Sequence, residues 1–214
     1  MKFLKEACVE NVEQAILAEK KGADRIELCA DLISGGISPS YQTVRKAKEK
    51  LSIPVRVMIR PRKGNFVYSE AEFETMKEYI RFCKKEKVDG VVFGILNLDN
   101  TLDIERIKEL TAIAFPLDIV IHKAIDETPD IIKSLYQLIE LDTITTVLTS
   151  GGKLSAKEGR YTLKEMIAIS KNKIEILPAG SITDQNILEL HQLLNATSYH
   201  GRKIVGNLQE NNLL

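Results

Sequence analysis

The sequence lacks the features that mark membrane, secreted and nucleic-acid-binding proteins. Its 30 basic and 30 acidic residues cancel, so nothing attracts nucleic acid or an anionic membrane. No apolar run approaches the length of about 20 residues that spans a bilayer. Only three of 214 residues are cysteines, which suits a reduced compartment better than a disulfide framework. Because no apolar signal segment opens the chain, we expect a cytoplasmic protein.

What the sequence has is a regular alternation of strand-like and helical segments. Eight short segments read as strands: Phe3–Val9, Arg25–Cys29, Val55–Arg60, Gly90–Phe93, Asp118–His122, Thr143–Thr149, Ile174–Pro178 and Thr197–His200. Between them, apolar residues recur at three- and four-residue spacing, which is typical of amphipathic helices. This alternation predicts an α/β protein with a (β/α)8, or TIM, barrel in a single domain of residues 1–214.

A doubly wound open sheet is the alternative, but it usually has a glycine-rich turn after its first strand. Here Cys8-Val9-Glu10-Asn11 stands in that place. Few residues follow the last strand, and Asn211-Asn212 is a poor helix segment. We therefore predict that the eighth helix is absent or replaced, and that a neighbouring subunit seals the barrel in a homodimer or larger oligomer.

Two arginines follow the third predicted strand, in Ile59-Arg60-Pro61-Arg62. On a strand, Arg60 and Arg62 would share one face, because side chains alternate with period two. The guanidinium fork suits phosphate or carboxylate, so this pair predicts an anion site. The alternative is that both arginines pair with surface acids.

In such barrels the active site lies at the C-terminal ends of the strands, and polar residues gather at those ends here. We expect no such concentration at the opposite ends. The candidate acid–base groups are Glu6, Glu27, His122 and Asp126. The candidate ligand-binding residues are Arg25, Arg60, Arg62, Lys123, Ser150, Gly151 and Gly180. The alternative is a buried ion network in which Arg25 and Arg60 neutralise Glu6 and Glu27.

Two of the cysteines, Cys8 and Cys29, end neighbouring predicted strands. Because neighbouring strands lie about 4.8 Å apart, both sulfurs could contact one metal ion. Two thiolates suit a soft ion such as Cu(I) better than Zn(II) without a fourth ligand. The alternative is that both are small buried apolar residues, as we expect for Cys83.

Several of these segments resemble the CutC copper homeostasis family. The matching motifs are Glu6-Ala7-Cys8, Gly22-Ala23-Asp24-Arg25-Ile26-Glu27-Leu28-Cys29, Met58-Ile59-Arg60-Pro61-Arg62-Lys63-Gly64-Asn65-Phe66 and His122-Lys123-Ala124-Ile125-Asp126. The resemblance runs from residue 3 to about residue 200. It implies a TIM barrel, a cytoplasmic location, homo-oligomers and Cu(I) bound by Cys8 and Cys29.

Two functions from different classes remain. The first is a cytoplasmic copper homeostasis protein that holds Cu(I), suspected from the resemblance, and needs no organic cofactor. The second is a TIM-barrel enzyme of the lyase, isomerase or hydrolase type. It would act on a small anionic or phosphorylated metabolite through an Arg/Glu/His site. The expected partner is a copper ion or a small anionic ligand, with no nucleic acid and no membrane.

Overall fold

In the computed structural model, which describes residues 3–171 and 173–208, eight parallel strands form one sheet. The strands are β1 (Leu4–Val9), β2 (Arg25–Leu28), β3 (Val55–Met58), β4 (Gly90–Phe93), β5 (Asp118–Ile121), β6 (Thr146–Thr149), β7 (Glu175–Pro178) and β8 (Ser198–Gly201). Their order across the sheet is β7-β6-β5-β4-β3-β2-β1-β8. The sheet therefore curls into a nearly closed barrel, as predicted.

Helices alternate with the strands on the outside of the barrel. They are α1 (Val12–Lys20), α2 (Tyr41–Lys50), α3 (Glu70–Lys85), α4 (Ile104–Ala114), α5 (Ile131–Glu140), α6 (Arg160–Ser170) and α7 (Ile187–Leu194). Ser69 and Glu72 form a capping box at the start of α3, in which each side chain accepts the other's backbone N–H. Through residue 208, leaving residue 172 aside, no helix of the structure is long and apolar enough to cross a membrane.

The seam of the barrel lies between β7 and β8. At the C-terminal mouth, the segments after these strands form a parallel bridge between Thr183 and Lys203, where the Asp184 N–H donates to the Lys203 carbonyl at 2.9 Å. At the other end, the Ser198 hydroxyl donates to the Glu175 carboxylate. No α-helix follows β8 in the described residues up to Leu208. The predicted poor helix segment Asn211-Asn212 lies outside the described residues, and the predicted oligomer stays a prediction.

Side chains alternate between two environments along each strand. In β3, Val55 and Val57 point outward into the large core between sheet and helices, while Arg56 and Met58 do not belong to that core. A separate apolar cluster fills the middle of the barrel: Cys8, Cys29, Leu32, Met58, Val92, Val120, Leu148, Leu177 and Ala179. This cluster separates a polar layer at the N-terminal ends of the strands from polar groups at the mouth.

Candidate functional site

A pocket of about 500 Å³ opens at the C-terminal mouth of the barrel. Its polar lining residues are Cys8, Glu27, Arg60, His122, Lys123, Ser181, Thr183, His200, Arg202 and Lys203. Its apolar walls include Leu32, Met58, Phe66, Leu148, Ala179 and Ile182. The volume falls in the range of about 300–1,000 Å³ that is usual for small-molecule sites. The pocket therefore lies where the sequence predicted a site.

The two candidate metal ligands meet at the base of this pocket. In the ladder between β1 and β2, Cys8 lies opposite Glu27, and Cys29 follows two residues later on the same side. The sulfurs of Cys8 and Cys29 are 3.8 Å apart. Cys8 Sγ is also hydrogen-bonded to Glu27 Oε2 at 3.0 Å. Cys29 is completely buried, and Cys8 is 6% exposed at the pocket surface.

Cys8 is the more acidic of the two thiols. The hydrogen bond from Cys29 lowers the pKa of Cys8 well below its ordinary value, against burial, and the neighbouring His200 lowers it further. The contact with Cys8, together with burial, raises the pKa of Cys29. Burial and the charge on Cys8 raise the pKa of Glu27. Of the two thiols, Cys8 is therefore the one that loses its proton more readily.

Below the thiols, a buried ion network surrounds Glu6. Its carboxylate pairs with the Arg25 guanidinium, with Arg56 Nη1 at 3.2 Å and with His200 Nδ1 at 2.9 Å. Burial alone would raise the pKa of Glu6, but His200, Arg25 and Arg56 outweigh it and lower that pKa to about 2. Burial would likewise lower the pKa of His200, but the charge on Glu27 and the bonds to Cys8 and Glu6 raise it well above its ordinary value.

This network corrects two expectations. Polar groups are concentrated at the N-terminal ends of the strands as well, because Arg56 Nη2 lies 3.2 Å from an Asp118 oxygen and 3.1 Å from the Thr146 hydroxyl. Arg56, and not Arg60, is the second arginine that neutralises Glu6. Arg25 lies in this lower layer and does not line the pocket, so the structure does not bring it to the predicted anion site.

Arg60 and Arg62 do not converge, contrary to expectation, because β3 ends at Met58 and both arginines lie on the following loop. Arg60 turns into the mouth, where it donates to the carbonyls of Gly36 at 2.9 Å and Gly64 at 2.7 Å. Arg62 turns outward and pairs with Glu72 at 2.6 Å. Of these two arginines, Arg60 lines the pocket and Arg62 does not.

His122 is a buried, neutral imidazole in the pocket wall. Its Nδ1 accepts the Ala124 N–H at 3.1 Å, so we assign its proton to Nε2. Burial, with the charge of Arg60, lowers its pKa to about 3. In the structure as described, Nε2 has no hydrogen-bond partner. The residue can therefore act as a neutral N–H donor toward a ligand, and a proton-accepting role at neutral pH would need the Nδ1 bond to break.

We expect the ring of His122 to stay neutral from pH 8 down to about pH 4, because its folded pKa is about 3. Folding lowers the pKa of His122 from its ordinary value of 6.5. The neutral ring therefore contributes fully to the stability of the fold above pH 6.5, and this contribution is lost as the pH falls toward 3. Histidine-ring nitrogen shifts in a ¹⁵N NMR titration measure both the tautomer and the midpoint. A midpoint near 6.5 would show that the ring is not buried as described.

Asp126 holds the loop after β6 and does not line the pocket. Its carboxylate accepts from the Thr149 hydroxyl at 2.5 Å, from the Ser150 N–H and hydroxyl at 3.0 and 2.9 Å, and from the Gly152 N–H at 2.8 Å. The loop wraps around this side chain, and Gly151 makes the turn with a φ of 70°. Asp126, Thr149 and Ser150 therefore hold the loop in shape, and this structural role accounts for the polar residues at the end of β6.

Of the remaining predicted residues, Lys123 and Gly180 line the pocket. The candidate list left out His200, Arg202 and Lys203, which also line it. Arg202 donates to the Leu32 carbonyl and so links the segment after β8 to the loop after β2. All three stand at or directly after the end of the last predicted strand, and strand ends of this kind carry the other candidate residues, so the sequence contained a signal for them.

Comparisons with known proteins identify the family and support the fold. The sequence model described as the CutC family matches residues 3–205. The human copper homeostasis protein cutC homolog is 44% identical over 198 residues, covering 92% of this chain and 72% of that protein. A CutC family protein of Treponema denticola is 42% identical over 201 residues, covering 94% and 81%.

Solved structures give the same result. The crystal structure of CutC from Streptococcus agalactiae has a TM-score of 0.89 at 35% identity and covers 94% of this chain and 99% of that one. A phosphonopyruvate hydrolase crystallised with oxalate and Mg²⁺ has a TM-score of 0.67 at 13% identity, covering 94% and 76%. At that identity the second likeness shows the barrel fold alone.

Proposed function

This chain belongs to the CutC family, and from that membership we propose that it takes part in copper homeostasis by binding Cu(I) between Cys8 and Cys29. The observation that carries the proposal is the 3.8 Å separation of the two sulfurs at the base of an open pocket. This separation is shorter than the summed length of two metal–sulfur bonds of about 2.3 Å each, so one ion can contact both sulfur atoms.

The chemistry of the donors supports a soft ion. The side-chain ligand atoms of Cys8, Glu27 and Cys29 all lie within 4.8 Å of one another, as do those of Glu6, Glu27 and His200. Thiolate sulfur favours Cu(I), whereas the second set offers carboxylate oxygen and imidazole nitrogen, which suit harder ions. Because the pKa of Cys8 is lowered, this thiol gives up its proton to the binding ion more easily than an ordinary cysteine does.

The surrounding charges support the same proposal. Two thiolates around one Cu(I) carry a net negative charge, which is costly to bury without a counter-charge. His200 supplies it, because its raised pKa keeps the imidazolium beside Cys8. We propose a cytoplasmic location as well, supported by three cysteines that are all free thiols.

We expect wild-type protein to bind one Cu(I) per chain under anaerobic, reducing conditions. The measurement is a competition titration against a Cu(I)-specific chromophoric chelator, whose absorbance reports the copper that the protein has removed. Stoichiometric withdrawal of one ion from the chelator supports the proposal. Retention of all copper by the chelator, at every chelator strength tried, contradicts it.

A second function is favoured by a separate observation in the same pocket. The His122 N–H and Arg60 Nε are buried donors without partners in the described residues, and such groups recur where an enzyme polarises an anionic substrate. This candidate is an enzyme that acts on a small anionic metabolite. Its first requirement is anion binding, and unchanged binding after loss of the Arg60 charge would contradict it.

A further inference from the structure

Arg60 is a buried cation without a counter-ion. Its side chain is only 6% exposed, and none of the carboxylates among residues 3–171 and 173–208 forms an ion pair with it. Its two terminal nitrogens donate to the carbonyls of Gly36 and Gly64, and its Nε has no hydrogen-bond partner in the described residues. A buried charge that lacks an opposite charge is unfavourable, so an anion is the expected neighbour of this guanidinium.

His122 offers a second unpartnered donor on the same wall. Its ring is 4% exposed and lies with its centroid 4.7 Å from that of Phe66. The guanidinium carbon of Arg60 lies 4.8 Å from the same Phe66 centroid. All three residues line the pocket. Two buried N–H donors thus flank one aromatic ring, and each needs an acceptor that the described chain does not provide.

The hydroxyl of Tyr68 extends this group. It is buried, and within the described part of the chain it makes no hydrogen bond of normal geometry. Burial raises the pKa of Tyr68 to about 12 although the charge of Arg60 opposes the change, so the hydroxyl keeps its proton. Tyr68 does not line the pocket, and the effect of Arg60 on its pKa places its hydroxyl near that guanidinium.

The lining of the pocket defines the class of ligand. Arg60 Nε and His122 Nε2 each keep an N–H without a partner in the described residues, and a carboxylate has two oxygens that can accept from such groups. The carbonyls of Gly36 and Gly64 accept one N–H from each terminal nitrogen, so the guanidinium alone does not distinguish a carboxylate from a phosphate. The remaining walls are largely apolar, with Leu32, Met58 and Leu148 among them. Such walls suit a ligand with a short hydrocarbon body.

We propose that Arg60 and His122 bind the carboxylate of a small organic acid whose hydrocarbon chain lies against Phe66, Met58 and Leu148. Lys123, Arg202 and Lys203 around the mouth attract the anion electrostatically. The proposal rests on the second candidate function and names its class of substrate. It is independent of copper, because neither Arg60 nor His122 carries a thiol.

The test is isothermal titration of the wild-type protein with sodium acetate, propionate and butyrate at constant ionic strength. Butyramide serves as the uncharged match for butyrate, and inorganic phosphate as the competing anion. We expect saturable binding that strengthens with chain length, butyramide at least about tenfold weaker than butyrate, and phosphate weaker than butyrate. Absence of saturable binding by all three acids overturns the proposal, and so does tighter binding of phosphate.

Variants assign the binding to the proposed wall. Arg60→Gln and His122→Asn should each weaken butyrate binding by about 10- to 100-fold. In His122→Asn the asparagine oxygen can still accept the Ala124 N–H, so we expect this variant to keep the local fold. It therefore tests the proposal even if Arg60→Gln fails to fold. Arg62→Gln, on the same loop but outside the pocket, should bind butyrate as the wild type does. Equal affinity in all four proteins overturns the proposal. Cu(I) binding by Arg60→Gln, measured separately, should be unchanged, which separates this proposal from the copper proposal.

Discussion

Replacement of Glu6 by glutamine is expected to lower the free energy of unfolding by about 3–5 kcal/mol at neutral pH. Glu6 is 1% exposed, and its carboxylate is the shared partner of Arg25, Arg56 and His200. Without it, Arg25 keeps only Glu175, at 3.5 Å, and Arg56 keeps Asp118 at 3.2 Å and Glu175 at 3.8 Å. Both of these acids are more exposed than Glu6 and therefore compensate a buried charge less well. The variant would therefore leave buried positive charges in excess, which costs more than the loss of one contact.

The pH dependence of this effect is fixed by the pKa of Glu6. Folding lowers that pKa from 4.5 to about 2 against the effect of burial. Its carboxylate thus stabilises the fold fully above about pH 4.5, and the contribution is lost as the pH falls toward 2. The difference in pKa corresponds to about 3 kcal/mol at neutral pH. Wild type and variant should therefore converge in stability below pH 4.5.

Urea unfolding followed by circular dichroism measures this prediction, at pH 7 and at lower pH. Glu86→Gln is the matched control, because Glu86 pairs at 3.0 Å with Arg45, whose side chain is 55% exposed. Such a surface pair contributes at most about 1 kcal/mol. If Glu6→Gln behaves like the surface control at pH 7, the buried ion network does not hold the barrel together as described.

The double variant Cys8→Ser with Cys29→Ser is expected to lose Cu(I) affinity by more than about 100-fold. Loss of a residue that only supports a metal ligand typically costs about 10- to 100-fold, and removal of both sulfur donors should cost more. The hydroxyls that replace them are hard donors, which Cu(I) disfavours. The remaining oxygen and nitrogen groups of Glu27 and His200 do not replace the thiolates.

Competition titration against the same chelator measures this loss, and circular dichroism verifies that the variant is folded. Cys83→Ala is the control, because Cys83 is buried in α3 within the outer core. Burial raises the pKa of Cys83 to about 12, so it is an inert thiol. We expect the control to bind copper like the wild type. A double variant that still competes as well as the wild type would remove the cysteines from the metal site.

Much of the fold follows from local patterns. The alternation of strands and helices predicts the barrel because parallel strands need helical crossovers. That topology also places Cys8 near Cys29, since the first two strands are neighbours and both cysteines end on the inner side. The strand ends are less predictable. Apolar residues up to Ile59 suggest that β3 continues to Arg60, whereas it ends at Met58.

The site was only partly predictable. Arg56 could have been recognised as a member of the buried ion network, since it shares the inward face of β3 with Met58. Its position between Val55 and Val57, however, is typical of an apolar core strand. The contact between Glu6 and His200 was not detectable from the sequence, because these residues are 194 positions apart and meet only when β8 joins β1. The missing counter-ion of Arg60 is a property of the folded mouth, and no spacing in the sequence encodes it.

We propose above all that two sulfur atoms of this chain hold Cu(I). Copper K-edge X-ray absorption of the wild-type protein loaded with one equivalent of Cu(I) tests it most directly, because the nearest shell of the metal identifies its ligand atoms. We predict a nearest shell that contains two sulfur scatterers per copper. A shell made only of nitrogen and oxygen would contradict it, and copper would then be bound elsewhere than between Cys8 and Cys29.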